Sequence, residues 1–568
     1  MSLFGAIQMG GNTLRAMQIG LQVVGNNIAN ANTPGYVRQE AIYTPAPVQR
    51  QGRLILGLGV EVEAIVQKLD RFVQERLVGA RGDRAAAETQ EQTYRDLEVL
   101  LNELSADVDL SSSLTGFFNA IDEVLKDPGS VATRNLAIGK GIALTENIGN
   151  LHSRVFGIRQ ELNKRVIAVA DEVNDLSEQI RLLNLQISST EGGDGATSEA
   201  GGLRVRRQEA VDRLSELVGI QINEQPSGGL SVSIGGEFLV FEGQRREVSV
   251  NANIDNGVAL GIVEFVDTQS ALQLTSGELQ GLYTARDEIV SGFLTGLDNL
   301  AATLAFEFNK VHSQGQGLVG FTSLTSVDGV DDVDAALDAA GLNFTPVNGT
   351  FDVLIHSKAD NLTKTHTIRV DLNGIDDDMS LTDLAKKLDA IEGLTATVTS
   401  TGRLKLTRES TDVEFAFSGD TSGALAALGL NTFFTGSSAG DLGINNELKG
   451  IANAAKFAAS RGGIGEDSEN AELLAPFLER RLSSAGNASL SDLYNQLINE
   501  VTRGSSIAQS VAEGFRVFEG TLEGQQQAVS GVSLDEEAIK MITLQRIYQA
   551  SAKYIQTISE LLDLLVAL

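Results

Sequence analysis

The chain has no cysteine and no tryptophan among its 568 residues. The first absence excludes disulfides and thiolate metal sites. With aromatic residues at only 5%, the second removes the usual anchors for sugar stacking and for binding hot spots. An extracellular location remains open, but stability there would have to come from packing and polymerisation. Positive charge is scarce: 44 Lys and Arg against 75 Asp and Glu leave a formal charge of −31. Such a surface repels phosphate, so nucleic acid is not expected as a partner, and an anionic membrane is disfavoured for the same reason. No contiguous apolar run approaches the ~18 residues of a bilayer span. The start, Met1-Ser2-Leu3-Phe4, lacks the basic region of a secretory signal. Membrane insertion is therefore not expected.

What is present is apolar spacing at both ends. Leu3, Ile7, Gly10, Leu14, Met17, Leu21, Val24 and Ile28 alternate steps of four and three, as do Met541, Leu544, Tyr548, Ser551, Ile555, Ile558, Leu562 and Leu565. This spacing predicts one narrow apolar seam on each of two helices. Gly5, Gly10, Gly11, Gly20 and Gly25 each cost such a helix ~1 kcal/mol relative to alanine. The first helix is thus expected to form only when its seam is buried, against the last helix or against neighbouring subunits.

Between the ends the period changes repeatedly. Helical spacing covers Arg71–Leu110 and Leu114–Lys126, then Ile148–Ile187, and resumes at Leu203–Val218, Leu279–Val311 and Leu490–Leu522. Period two appears at Leu230, Val232 and Ile234, with Gly235-Gly236 as a hairpin turn into Phe238–Phe241. Strands are predicted at Phe351–Ile355, His366–Val370, Thr395–Thr399, Leu404–Thr407 and Val413–Phe417, with a helix at Leu381–Ile391. The reading is a multidomain α + β chain. Residues 1–60 and 530–568 would form a coiled-coil inner domain. Residues 61–219, 271–324 and 446–529 would form a bundle of long helices. A β-hairpin-rich segment, 220–270, and an inserted α+β outer domain, 325–445, would lie between them.

One string is more specific than its parts: Asn26-Asn27-Ile28-Ala29-Asn30-Ala31-Asn32-Thr33-Pro34-Gly35-Tyr36-Val37-Arg38-Gln39. Asparagine favours helix ends and left-handed turns, and Pro-Gly redirects the chain. The string, with Asn26, Asn27, Ala29, Asn30, Thr33, Gly35, Tyr36, Arg38 and Gln39 as its marks, resembles the N-terminal signature of flagellar axial proteins, the rod, hook and hook-associated family. Ser530–Glu537 before the last helix is similar to the C-terminal signature of that family, with Ser533 and Glu536 at capping-box spacing. Gly57–Val62 with Leu69–Val73, Phe308–Gly315 and Phe434–Leu442 resemble its hook-associated members.

The resemblance covers both ends and much of the helical sequence, and leaves 327–432 uncovered. It implies a non-enzymatic structural adaptor between flagellar hook and filament. Its partners would be further copies of itself in a ring or tube, the hook protein, and the next hook-associated protein on the filament side. A dedicated cytosolic export chaperone would hold the C-terminal region. The protein would be cytoplasmic before type III export and extracellular, in the flagellum, afterwards. The seam residues named above would be its assembly contacts. Rival readings are another axial component of hook or distal-junction type, an extracellular enzyme carried in the inserted domain, and a non-flagellar coiled-coil fibre.

Catalytic chemistry finds little support. His312 is expected to make a structural hydrogen bond, and His152 to lie on a helix surface. His356 and His366 could share a strand pair, but have neither cysteine nor metal-site spacing beside them. The acids Asp328, Asp331, Asp332 and Asp334, and Asp371 with Asp376, Asp377 and Asp378, lack EF-hand spacing and are read as solvated loops. No catalytic residue, cofactor or metal is predicted.

Overall fold

The computed structural model describes residues 3–33, 35–51, 53–103, 109–192, 198–255, 258–375, 377–465 and 467–567. Pro34 of the signature string, Asp376, and Gly193 to Gly195, where the sequence predicts a helix break, lie outside them. The fold is mixed α and β, and the chain packs as two compact units. One is built from 1–93, 160–286 and 506–568, the other from 94–159 and 287–505. Each boundary falls inside a long helix: Arg71–Glu103, Val131–Glu191, Glu278–His312 and Leu490–Ser530. The sequence pattern offers no signal for such boundaries, because helical spacing runs through them unbroken.

The first unit holds both terminal helices, Leu3–Ala29 and Leu534–Ala567. Gln39–Pro45 pairs antiparallel with Val60–Gln67. A four-stranded sheet runs in the order Gln221–Glu224, Leu230–Ile234, Glu237–Phe241, Gln244–Arg245. Its tight turn uses Gly235 and Gly236 at φ +56° and +89°, the left-handed pair that a two-residue hairpin turn demands. Val232, Ile234 and Val240 of this sheet form one core with Val173 and Ile180 of the long helix and with Val211 and Leu214 of Gly201–Leu217.

The second unit contains two three-stranded sheets. One has the order Leu362–Val370, Gly349–Ser357, Val413–Ser418, and the other Ser323–Thr325, Leu404–Arg408, Leu394–Val398. The helix Leu381–Asp389 buries Leu381, Leu384 and Leu388 in the same core, and the Ser380 side chain caps its start. A second core is aromatic. Phe117, Phe308, Phe433 and Phe434 pack in tilted and edge-to-face pairs within 5.6 Å of one another, centroid to centroid.

Two expectations change. The long helix begins at Val131, not near Ile148, and runs for 61 residues. Glu278–His312 is a helix long and apolar enough by composition to cross a membrane, although no contiguous run in the sequence marks it. In the second unit its Leu297, Leu300, Leu304 and Phe308 are buried, which accounts for the apolarity as core.

Candidate functional site: the paired terminal helices

The two terminal helices pack on each other in antiparallel fashion. A Cβ at Gly10 would lie 2.6 Å from Ile555 Cγ1, and one at Gly20 would lie 3.2 Å from Leu544 Cδ1. At the end of the pair, Asn27 meets Glu537. Contacts thus climb the first helix as they descend the last. Two of the five glycines that weaken the first helix are therefore sites of close approach, where an added side chain would displace Ile555 at Gly10 and the Tyr43 hydroxyl, with Leu544, at Gly20.

That close approach decides which face is buried. On the first helix the buried residues are Ala6, Gly10, Ala16, Met17, Gly20, Val23, Val24 and Asn27. Gly10, Met17 and Val24 belong to the seam the sequence predicts. Leu3, Ile7, Leu14, Leu21 and Ile28 are only half-buried. The helix turns its small residues to its partner, so the spacing survives but shifts by one position along every second step. The larger side chains form a flanking ridge. On the last helix Met541, Leu544, Ile555, Ile558 and Leu562 are half-buried, while Tyr548 and Leu565 are exposed. Ile539, Ile542, Leu561 and Leu564 are also exposed, giving this helix a second apolar face.

The signature residues close the open end of the pair around one amide. Asn27 Oδ1 accepts from the Gln39 N–H at 3.0 Å and from the Tyr36 hydroxyl at 2.9 Å. Its Nδ2 donates to the Gln39 carbonyl at 2.9 Å and to Glu537 Oε2 at 3.0 Å. All four hydrogen-bonding capacities of the amide are used. Asn27 and Glu537 are 1% and 0% exposed. Burial, with the Glu537 charge second, pushes the Tyr36 hydroxyl pKa up.

Arg38 stands beside this centre. Its N–H donates to the Ser530 carbonyl at 2.9 Å, and its Nη1 reaches Glu536 Oε2 at 2.9 Å. Glu536 remains 63% exposed, so that ion pair is worth at most ~1 kcal/mol. Asn30 Nδ2 donates to the Asn26 carbonyl at 2.9 Å, and the Thr33 hydroxyl donates to Asn30 Oδ1 at 3.3 Å. Gly35 takes φ +70°, and Ala29 and Thr33 face solvent. The Gly57–Val62 string belongs here too. Gly59, at φ +87°, leaves no room for a Cβ, which would lie 2.8 Å from the Met9 carbonyl, and Asn12 Nδ2 donates to the Leu58 carbonyl at 3.0 Å.

The structure therefore joins Asn27, Tyr36, Arg38 and Gln39 to Glu536 and Glu537. Along the sequence the two signatures are separate, and Glu537 is only one of the acids in the first turn of the last helix, favourable to its dipole. The available signal was its place four residues before Met541, on the seam itself. The histidines carry no comparable arrangement. His312 is fully buried between the Asn431 carbonyl and the Ala458 N–H. His366 lies opposite Val353, and His356 lies opposite Thr363 in the same strand pair, so their side chains point to opposite faces of the sheet. Among the described residues, no three His, Asp or Glu side chains are grouped to hold a metal ion.

Three family models match the chain. Residues 7–36 match "Flagella basal body rod protein", and 525–568 match "Flagellar basal body rod FlgEFG protein C-terminal". Residues 94–324 match "Flagellar hook-associated protein FlgK helical domain". The two terminal matches are the segments that meet at Asn27 and Glu537, and they mark a structural protein of the bacterial flagellum, of the rod and hook axial class. Within that class the chain is similar over nearly its whole length to flagellar hook-associated protein 1. It is 25% identical over 576 residues to flagellar hook-associated protein 1 of Escherichia coli (strain K12), with 97% of each chain covered. To that of Bacillus subtilis (strain 168) it is 24% identical over 597 residues, covering 99% of this chain and 97% of the relative. A solved structure, the flagellar hook junction protein FlgK from Burkholderia pseudomallei, aligns over 80% of this chain and 100% of its own at TM-score 0.49 and 14% identity. That likeness is too loose to carry an inference.

Proposed function

We propose that the chain is a non-enzymatic adaptor that joins the flagellar hook to the filament. It would polymerise through its terminal helices once it has passed through the flagellar type III export route. The observation that carries this reading is the unequal use of the terminal apolar residues. The intramolecular pair buries the small residues of the first helix. It leaves Ile7, Leu14, Leu21 and Ile28 half-covered, and Ile539, Ile542, Leu561 and Leu564 exposed. Each large apolar side chain taken out of water is worth ~1.5–3 kcal/mol. Neighbouring copies around a common axis would supply that cover, with hook protein below and the next hook-associated protein above. A cytosolic chaperone on the C-terminal region would cover the same face before export. The middle of the chain, including 325–445, would project outward.

The test is Leu14→Glu, Leu21→Glu and Leu562→Glu in a strain lacking the native chain. Each is expected to be exported while filament subunits are shed into the medium, with the second unit still folded. Filaments firmly attached to their hooks in all three strains would refute the reading.

A further inference from the structure

Asn27 and Glu537 are polar residues at apolar spacing. On the first helix Asn27 follows Gly10, Met17, Gly20 and Val24, and on the last Glu537 precedes Met541 and Leu544. They meet at 3.0 Å with both side chains buried. An apolar seam alone is degenerate, because a slip of seven residues brings Tyr548 or Leu562 to the place of Ile555 beside Gly10. The amide and carboxylate remove that degeneracy. After such a slip Asn27 would face Leu544 or lie beyond the start of the last helix. Glu537 would then be a buried carboxylate without its donor.

We propose that the Asn27–Glu537 hydrogen bond sets the register in which the last helix pairs with the first. Glu537 is then a positioning residue. It aligns the seam so that Glu536 comes to Arg38 and the Ser530 carbonyl comes to the Arg38 N–H. One bond thereby connects the helix pair to the turn that starts the Gln39–Pro45 strand. Asn27 serves both, since its remaining bonds hold Gln39 and Tyr36. The inference rests on the helix pair within one chain and stands apart from the junction role.

Because the chain has no cysteine, engineered thiols report register without background. Three full-length reporters are compared under mild oxidation, each with Gly10→Cys: one with Ile555→Cys, and two with Ile555→Ala plus either Tyr548→Cys or Leu562→Cys, so that the side chain nearest Gly10 is removed in all three. Intramolecular disulfides are read by gel mobility and peptide mapping. In the otherwise unaltered chain the Ile555 reporter is expected to dominate. Adding Glu537→Leu, which keeps the seam apolar, is expected to raise the ratio of slipped to in-register crosslinks at least about tenfold. Glu537→Gln, which retains an acceptor for Asn27, is expected to restore the original ratio. A carboxylate that merely stabilised the pair would lower all three crosslinks together. That result, or slipped crosslinks as abundant as the in-register one in the unaltered chain, would overturn the proposal.

Discussion

Asn309 grips the backbone of Phe434 from both sides. Its Oδ1 accepts the Phe434 N–H and its Nδ2 donates to the Phe434 carbonyl, each at 3.0 Å, and the same oxygen takes the Phe433 N–H at 2.9 Å. Two family-like strings more than a hundred residues apart are thereby one structural element. Asn309→Leu keeps the volume and strands three buried backbone groups. It is expected to destabilise the second unit by roughly 3 kcal/mol, read from chemical denaturation followed by hydrogen exchange in that unit.

His312 sits one turn further on. The Ala458 N–H donates to its Nε2 at 3.2 Å, so Nδ1 carries the proton and donates to the Asn431 carbonyl at 2.9 Å. Burial holds its pKa down to about 4, and the nearby Arg134 charge adds to that against the Asn431 bond. The unfolded chain takes up this proton below about pH 6.5, and the folded one only near pH 4. The contribution is therefore intact above pH 6.5 and falls as pH drops toward 4, by roughly 3 kcal/mol in all. His312→Gln should flatten the stability profile of the second unit across that window. An unchanged slope would show that His312 is not the responsible group.

At Gly10 the nearest obstacle is the Ile555 side chain, and at Gly20 a Cβ would also lie 2.1 Å from the Tyr43 hydroxyl. Gly20→Val is expected to displace the Tyr43 hydroxyl and to crowd Leu544 of the last helix, at a cost of about 1–3 kcal/mol. Faster amide exchange across 541–562, with the four-stranded sheet unchanged, would be its signature. At Gly25 an added Cβ would meet nothing within 4 Å, so Gly25→Ala is expected to strengthen the first helix by up to ~1 kcal/mol.

Three helices of the first unit are clasped by charge. Arg84 reaches Glu216 at 2.8 Å and also contacts Glu519, while Arg81 contacts Asp212 and approaches Glu519 at 3.4 Å. Burial pushes the Glu519 carboxyl above its ordinary pKa against the opposing pull of Arg84. Its ionised form is thus the one that needs the cation. Arg84→Met is expected to cost about 1–3 kcal/mol at pH 7, because it leaves the largely buried Glu519 carboxylate with Arg81 as its cation, at 3.4 Å. A carboxyl with a raised folded pKa favours the folded state at low pH and loses that contribution as pH rises through the folded value. The cost of Arg84→Met should accordingly shrink toward pH 4. Denaturation of variant and unaltered chain at both pH values checks this, and an equal cost at both would argue against the charge explanation.

Local sequence was informative wherever one element's own spacing settles its state. The strand pair at Leu230–Ile234 and Glu237–Phe241, with its two left-handed glycines, follows from alternation and turn chemistry. So does the helix Leu381–Asp389, which Ser380 caps. On the last helix Leu544, Ile555 and Leu562 lie on the half-buried face, while Tyr548 and Leu565 of the same spacing are exposed. The first helix misleads for a physical reason. Spacing rules rank positions by apolar size, whereas close packing of two helices buries the smallest side chains where the axes come nearest, here Ala6, Gly10 and Gly20.

By itself, then, the amino-acid order determined most of the helices, the strand pair around Gly235-Gly236, and the two terminal strings, since each depends on neighbours a few residues away. The tertiary structure alone decided that Asn27 meets Glu537, that Asn309 meets Phe434, and that each unit is assembled from three or two distant stretches of chain. Those choices are made by burial. A polar group removed from water must find its partner wherever the fold brings one, however far away it lies along the chain.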